Sequence, residues 1–323
     1  MCTAVTYHAK DHYFGRTLDL EYAYHEEVVI APRNFPFSIR KKGKIENHYA
    51  IIGMATVAGE YPLYYEAANE YGLAMAGLNF PGNAHYFEEQ PGKDNIAPFE
   101  LTPWILSRCK TLSDARQLLK TINLCNLHFS KELPLSPLHW IVADRSGAIT
   151  VESMAGGLNI HENSVGVLTN NPPFDYHMTH LCDYLNLTCF TPENRFGNVN
   201  LPPYSRGLGA MGLPGDLSSA SRFVRAAFVK LNALPGDNEM ENISQFFHIL
   251  GAVEQQKGCV RLPDGSNEMT VYTSCINTDR GIYYYKTYEN SCICAVDMHR
   301  CDLESSALFR YELKKEQIIN RQN

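Results

Sequence analysis

The chain has 323 residues, 45% hydrophobic and 20% charged, with a formal net charge of −7. This is a globular composition, far from the disordered or collagen-like extremes, and the length allows one large domain or two modest ones. Lysine and arginine are scattered, with Arg40 to Lys44 the one short basic cluster, so nucleic acid as a main partner is excluded and that cluster reads as a solvated loop.

In chain order, residues 3–7 and 13–18 read as two strands around a polar turn at Lys10 and Asp11, and a third strand follows at 27–31. Further strand signals lie at 49–57, 72–78, 138–143, 148–152, 166–169, 270–274, 282–288 and 293–298. Helical periodicity appears at 99–119, as two helices split near Thr111 with Ser113 as N-cap of the second, and at 218–234 and 243–253. In the 218–234 helix Phe223, Ala226, Ala227, Val229 and Leu231 form the apolar stripe, and Pro235-Gly236 ends it. Strands at both ends enclosing helical segments predict an α+β layered sandwich whose central sheets draw on both halves of the chain. No clean linker or internal repeat interrupts residues 1–323, which read as a single domain, with 200–215 as a long Pro- and Gly-rich loop.

No run of about 18 apolar residues predicts a membrane span. The opening Met1-Cys2-Thr3-Ala4 has neither the basic nor the apolar segment of a secretory signal, so a cytoplasmic protein is expected. The ten cysteines then read as reduced thiols. Cys292 and Cys294, with His299 and Cys301 beyond, lack zinc-site spacing, and neither a metal nor a cofactor is expected. Gly207-Leu-Gly209-Ala-Met-Gly212 matches a dinucleotide-binding pattern literally, but Pro202-Pro203 before it and Pro214-Gly215 after it make it a loop. There is no Gly-x-Ser-x-Gly and no His-Glu-x-x-His. His139, beside Trp140, reads as a core residue or a support behind a site.

The informative feature is Cys2 directly after Met1. Removing Met1 would put a thiol and a free α-amine on one residue, and an amine of reference pKa about 7.7–8 is a general base near neutral pH. A thiol of reference pKa about 8.5 becomes a nucleophile without a histidine. One hairpin later comes Phe14-Gly15-Arg16-Thr17-Leu18-Asp19. Strand alternation keeps Arg16 and Asp19 off a common face unless the strand bends or bulges nearby.

These residues, together with Pro32-Arg33-Asn34-Phe35, Leu78-Asn79-Phe80-Pro81, Gly166-Val-Leu-Thr-Asn170, Leu213-Pro-Gly-Asp216, Ser221-Arg222-Phe223, Tyr272-Thr-Ser-Cys275 and Gly281-Ile-Tyr-Tyr-Tyr285, resemble the choloylglycine hydrolase family nearly end to end. The resemblance implies the four-layer αββα fold of N-terminal nucleophile hydrolases, in a homotetramer. It implies Cys2 as nucleophile with its freed amine as base, Asp19 orienting the amine, and Arg16 stabilising the thiolate. Asn170, by its side chain, and Asn79, by its backbone amide, would form the oxyanion hole, and Arg222 would hold the charges of amine and thiolate. Asn79, where penicillin V acylases tend to carry Tyr, favours a conjugated bile acid as substrate, and Leu18, Ala58, Tyr61, Tyr65, Leu133 and Leu135 lie in segments that line the pocket of relatives. The glycine or taurine preference stays open. Penicillin V or acyl-homoserine-lactone acylase activity and, outside enzymes, a non-catalytic bile-acid or lipid binder are the competing readings. Leu217-Ser218-Ser219-Ala220 and Asn171 depart from the family pattern beside the site without changing its chemistry.

Overall fold

The computed structural model describes residues 1–323. Its first sheet has seven strands. Cys2–His8 and His12–Leu20 pair antiparallel, with Cys2 opposite Leu18 and Ala4 opposite Arg16. Val167–Leu168 adds to one side of this hairpin, Asn267–Asn277, Ile282–Thr287 and Cys294–Asp297 extend the other, and the short Val260–Arg261 strand pairs with the start of Asn267–Asn277. The second sheet has eight strands, in the order 157–162, 147–154, 138–144, 74–79, 61–69, 51–58, 27–31 and 309–312. Both sheets therefore combine the two ends of the chain, as the strand distribution predicts.

Five helices cover the outer faces: α1 (Leu101–Leu106), α2 (Leu112–Leu119), α3 (Phe174–Leu181), α4 (Ser219–Asn232) and α5 (Glu239–Gly251). The larger core joins Ala4, Met54, Leu78 and Ile141 between the sheets to Phe223 and Ala226 of α4 and Phe246 and Ile249 of α5 beyond the first sheet. A second core packs Leu101, Trp104, Leu112 and Leu119 of α1 and α2 on Met75, Trp140 and Val142, on the far side of the second sheet. The layers run helix, sheet, sheet, helix, the αββα order.

Local chemistry explains the helix limits. Ser218 caps α4, and Pro235-Gly236 follows it, but Leu231 of the expected stripe points to solvent. The N-cap of α2 is Thr111 rather than Ser113, because Thr111 is extended and exchanges hydrogen bonds with Asp114 in a capping box. Ser113 lies inside the helix. Residues 207–212 form a loop with one short turn at Leu208–Ala210, as expected of that glycine pattern. Arg40 to Lys44, expected as a solvated loop, are all exposed: 40–42 form the turn between Phe37–Ile39 and Gly43–Ile45, and Gly43 and Lys44 open the second of these short strands, with Lys41 paired to Glu89 and Lys42 to Asp94.

Two irregularities shape the region around Cys2. The His12–Leu20 and Asn267–Asn277 strands slip register between Thr270 and Tyr272, so Thr270 pairs with Asp19 while Tyr272 pairs with Leu18. With Val271 as the extra residue, Thr270 and Tyr272 face opposite sides of the sheet, where regular alternation would put them on the same side. The same two strands approach so closely at Gly15 that a Cβ there would lie 2.1 Å from the Ser274 carbonyl oxygen. Only glycine fits.

Candidate active site

Cys2 is buried, 3% exposed, and its α-carbon stands opposite that of Leu18. Strand alternation sends Cys2, Leu18 and Arg16 toward the second sheet and Thr3, Thr17 and Asp19 toward α4. Arg16 and Asp19 thus lie on opposite faces of the hairpin that holds Cys2.

On the inter-sheet face, Arg16 donates from Nη1 to the carbonyls of Gly77 (2.6 Å) and Tyr65 (3.3 Å) and from Nε to Thr17 (3.2 Å). Its Nε also lies 3.8 Å from Glu66 Oε2. Burial pulls this guanidinium down, but the Cys2 thiol, Tyr272, Glu66 and Asp19 hold it above its ordinary pKa. Glu66 accepts from the hydroxyls of Tyr272 (2.8 Å) and Tyr283, and burial pushes its carboxyl upward against those bonds and Arg16.

On the helix face, Asp19 accepts from Thr270 Oγ1 (2.6 Å), Thr17 Oγ1 (3.1 Å) and Gln255 Nε2 (3.5 Å). Burial raises its pKa, while Arg222 and the chain's terminal ammonium pull the other way. Arg222, on α4, is fully buried. It donates to the Cys2 carbonyl (2.6 Å), Thr3 Oγ1 (2.6 Å), Asn170 Oδ1 (2.9 Å) and the Leu217 carbonyl (3.0 Å), and approaches Asp19 to 4.0 Å. Burial depresses its guanidinium, opposed by Asp19 and the Cys2 thiol.

Asn170 follows the short Val167–Leu168 strand. Its Oδ1 accepts from Cys2 N (2.7 Å) and its Nδ2 donates to the Asn79 carbonyl (2.7 Å). An amide nitrogen has two hydrogens, so one Nδ2–H remains for another acceptor. Met1, still attached, donates from its amine to Glu268 Oε1 and to the Asp19 carbonyl, both at 2.6 Å.

All six residues expected to be catalytic therefore converge: Cys2, Arg16, Asp19, Asn170 and Arg222 are buried together, and Asn79 is exposed at the rim. Of the expected substrate residues, Leu18 faces the same side as Cys2, and Tyr65 gives its carbonyl to Arg16 while its hydroxyl meets Thr56 Oγ1 at 2.8 Å. Ala58, Tyr61, Leu133 and Leu135 share no hydrogen bond with the cluster. Ala58 pairs with Tyr61 at a hairpin end, and the Tyr61 ring packs against Phe37, Phe99 and Phe129. Phe129 belongs to the loop that carries the half-buried Leu133 and Leu135. No group of three or more His, Cys, Asp or Glu side chains is placed to hold a metal ion.

Sequence reasoning missed Glu66, Thr270, Gln255 and Glu268. A lone carboxylate flanked by alanines in Glu66-Ala-Ala is a signal that something pairs with it, but not what; the others carried none.

Comparison with known proteins identifies the family. Residues 2–311 match the model for linear amide C-N hydrolases of the choloylglycine hydrolase family. The chain is 51% identical over 317 residues to a bile salt hydrolase/transferase of Lactiplantibacillus plantarum, covering 98% of each. It is 37% identical to the Clostridium perfringens bile salt hydrolase/transferase over the whole of both chains. A C2A variant of the conjugated bile acid hydrolase from Clostridium perfringens superposes with a TM-score of 0.93 at 36% identity, covering 100% of both chains. Penicillin V acylase from Agrobacterium tumefaciens, 20% identical, shares the fold with a TM-score of 0.74 over 96% of this chain and 90% of its own.

Proposed function

Since the chain belongs to the choloylglycine hydrolase family of linear amide C-N hydrolases, we propose that it hydrolyses the amide bond of glycine- or taurine-conjugated bile acids with Cys2 as nucleophile. The observation that carries this reading is the buried Cys2 gripped by Arg222 through its carbonyl and by Asn170 through its nitrogen, with Arg16 and Asp19 on opposite faces. Loss of Met1 turns the Cys2 nitrogen into an amine already within hydrogen-bond reach of Asn170 Oδ1.

The steps follow from general acid–base chemistry. The amine takes the thiol proton, and Sγ attacks the amide carbon. The oxyanion accepts from the free Nδ2–H of Asn170 and from the Asn79 backbone N–H. The amine then protonates the leaving nitrogen, the C–N bond breaks, and a thioester remains. Water, deprotonated by the amine, attacks the thioester, the C–S bond breaks, and the bile acid leaves. Arg16 stabilises the thiolate, and Asp19 and Arg222 orient the amine. The steroid would meet Leu18, Ala58, Tyr61, Tyr65, Leu133 and Leu135.

The thioester can also pass its acyl group to an amino acid, and the transferase named in two relatives favours this as a second outcome. We further read the assembly as a homotetramer. Leu185, Phe190, Phe196 and Tyr204 are 75–84% exposed on one excursion, which supports this reading because clustered exposed apolar side chains mark contact surfaces. All ten cysteines are free thiols, which suits a cytoplasmic location.

The test is intact mass, followed by incubation with glycocholate and taurocholate and assay of released amine. Protein without Met1 that releases glycine or taurine supports the reading. Protein without Met1 that cleaves only penicillin V moves it to the acylase class. Added free amino acids reveal transfer, and light scattering reads the assembly.

A further inference from the structure

Asn170 stands where regular strand pairing has stopped, yet each polar group around it is held by a side chain. Its N–H donates to Ser219 Oγ (2.8 Å), and its carbonyl accepts from His177 Nε2 (2.9 Å). The preceding carbonyl, of Thr169, accepts from His139 Nε2 (2.9 Å). The His139 ring is fully buried and stacks on Phe80 with centroids 4.2 Å apart and planes 5° from parallel. His177 stacks on Phe223 with centroids at 4.8 Å.

Both histidines lead to one carboxylate. Glu152, on the 147–154 strand and fully buried, accepts at Oε1 from His139 Nδ1 (3.1 Å) and from the backbone N–H of Phe174 (3.0 Å), the first residue of α3. That helix carries His177. Glu152 Oε2 has no hydrogen-bond partner, and His161 Nε2 stands 3.6 Å from it. A carbonyl only accepts, so His139 Nε2 carries a hydrogen, and the contact between Nδ1 and Oε1 then requires a further shared proton. With Nε2 held by the Thr169 carbonyl and Nδ1 by Glu152, the ring is fixed in one orientation.

We propose that Glu152 is a positioning residue for the oxyanion donor: through His139, and through the start of α3 and His177, it fixes the Thr169–Asn170 backbone and so aims the Asn170 amide. This rests on the role given to Asn170 above. Displacing a catalytic group by about 1 Å costs on the order of a hundredfold in rate. Glutamine cannot replace Glu152. With its oxygen in the Oε1 place it leaves the shared proton without a counter-charge, and with its nitrogen there it opposes the Phe174 N–H.

The test uses E152Q, H139L and H139Q in otherwise intact protein, each checked for Met1 removal and folding by circular dichroism. For E152Q and H139L, kcat is expected to fall by roughly ten- to a hundredfold with KM nearly unchanged. H139Q, which keeps a donor for Thr169, should recover part of kcat. In an N170A background neither E152Q nor H139L should cost more than about a further twofold. If both keep kcat within about twofold of wild type, or if their losses multiply onto N170A, the positioning role is overturned. Should E152Q not fold, the His139 pair decides alone. An N170A variant with near-normal turnover would remove the Asn170 role itself and this inference with it, a result distinct from failure of Glu152 alone.

Discussion

The Arg222 to Asp19 contact permits a test of whether the two faces of the strand that holds Cys2 depend on one another. Arg222→Met keeps much of the side-chain volume but removes the only guanidinium reaching the Cys2 carbonyl, Thr3 and Asn170, and strands Asp19 without the cation 4.0 Å away. Both side chains are fully buried, so solvent screens little of this. Breaking a buried ion pair by removing one partner costs about 3–5 kcal/mol. With an unfolding entropy of about 2.1 cal/mol/K per residue over 323 residues, each kcal/mol is worth roughly 1.5 °C, so Tm should fall by about 4–7 °C in calorimetry. Turnover of a conjugated bile acid should collapse as well, since Asn170 and Cys2 lose their common anchor. Adding Asp19→Asn to Arg222→Met removes the stranded charge and should restore roughly 3 °C, corresponding to a coupling of about 2 kcal/mol, without restoring activity. If Asp19→Asn lowers Tm equally in both backgrounds, the two residues are energetically independent and the reasoning is wrong.

Gly15→Ala should cost about 1–3 kcal/mol in denaturant melts, because the added Cβ meets the Ser274 carbonyl oxygen at 2.1 Å and backbone cannot step aside cheaply; an unchanged midpoint would mean the strands part freely. Burial depresses His12 to about 3 and His177 to about 4, so the native state keeps both neutral while the unfolded chain protonates them below about pH 6.5. Their stability contribution is whole above that pH and is lost as pH falls toward 4, at about 1.4 kcal/mol per pH unit for each ring. His12→Gln should flatten the stability slope between pH 6 and 4.5 by about one proton, and an identical slope would exclude His12 as a contributor. Thr111→Ala should cost about 1 kcal/mol through the lost capping box of α2 and leave turnover alone, since that helix packs on the far side of the second sheet.

The residues expected to be catalytic could be named from the sequence because each sits in a short ordered block, and strand parity separated Arg16 from Asp19 as the structure does. What parity could not supply was the partner strand. The extra residue Val271 lies far along the chain, and its slip decides that Thr270 faces Asp19 while Tyr272 faces Glu66. The Tyr61–Asn69 strand was missed for a related reason. Tyr65 is its bulged residue, between Tyr64 opposite Ala55 and Glu66 opposite Met54, which scrambles the period of two, and Pro62 reads as a breaker. Helix α3 was missed because Asn-Pro-Pro precedes it and its eight residues carry only two buried positions, too few for a periodic stripe. Single polar residues such as Glu66 and Glu152 announce a burial cost but not the partner that offsets it, because the partner is set by the fold.

The bulge and the buried charges together give a physical reason for the layout. Each face of the strand that holds Cys2 carries one cation and one anion, Arg16 with Glu66 between the sheets and Arg222 with Asp19 under α4. The four formal charges cancel, so a thiolate and an ammonium on the same residue, the pair the proposed mechanism needs, add no net charge to a buried site. The anions are not equivalent to the cations. Glu66 is occupied by two tyrosine hydroxyls and Asp19 by two threonines and a glutamine. Arg16 spends its hydrogen bonds on neutral carbonyls, and its carboxylate partner Glu66 stands 3.8 Å from Nε, beyond hydrogen-bond range. Asp19 lies on the opposite face, where it balances Arg222 and faces the chain terminus. A sheet with no bulge at Val271 would turn Thr270 away from Asp19 or Tyr272 away from Glu66, and one of the two buried anions would lose one of its two hydroxyl donors, where each lost donor is costly.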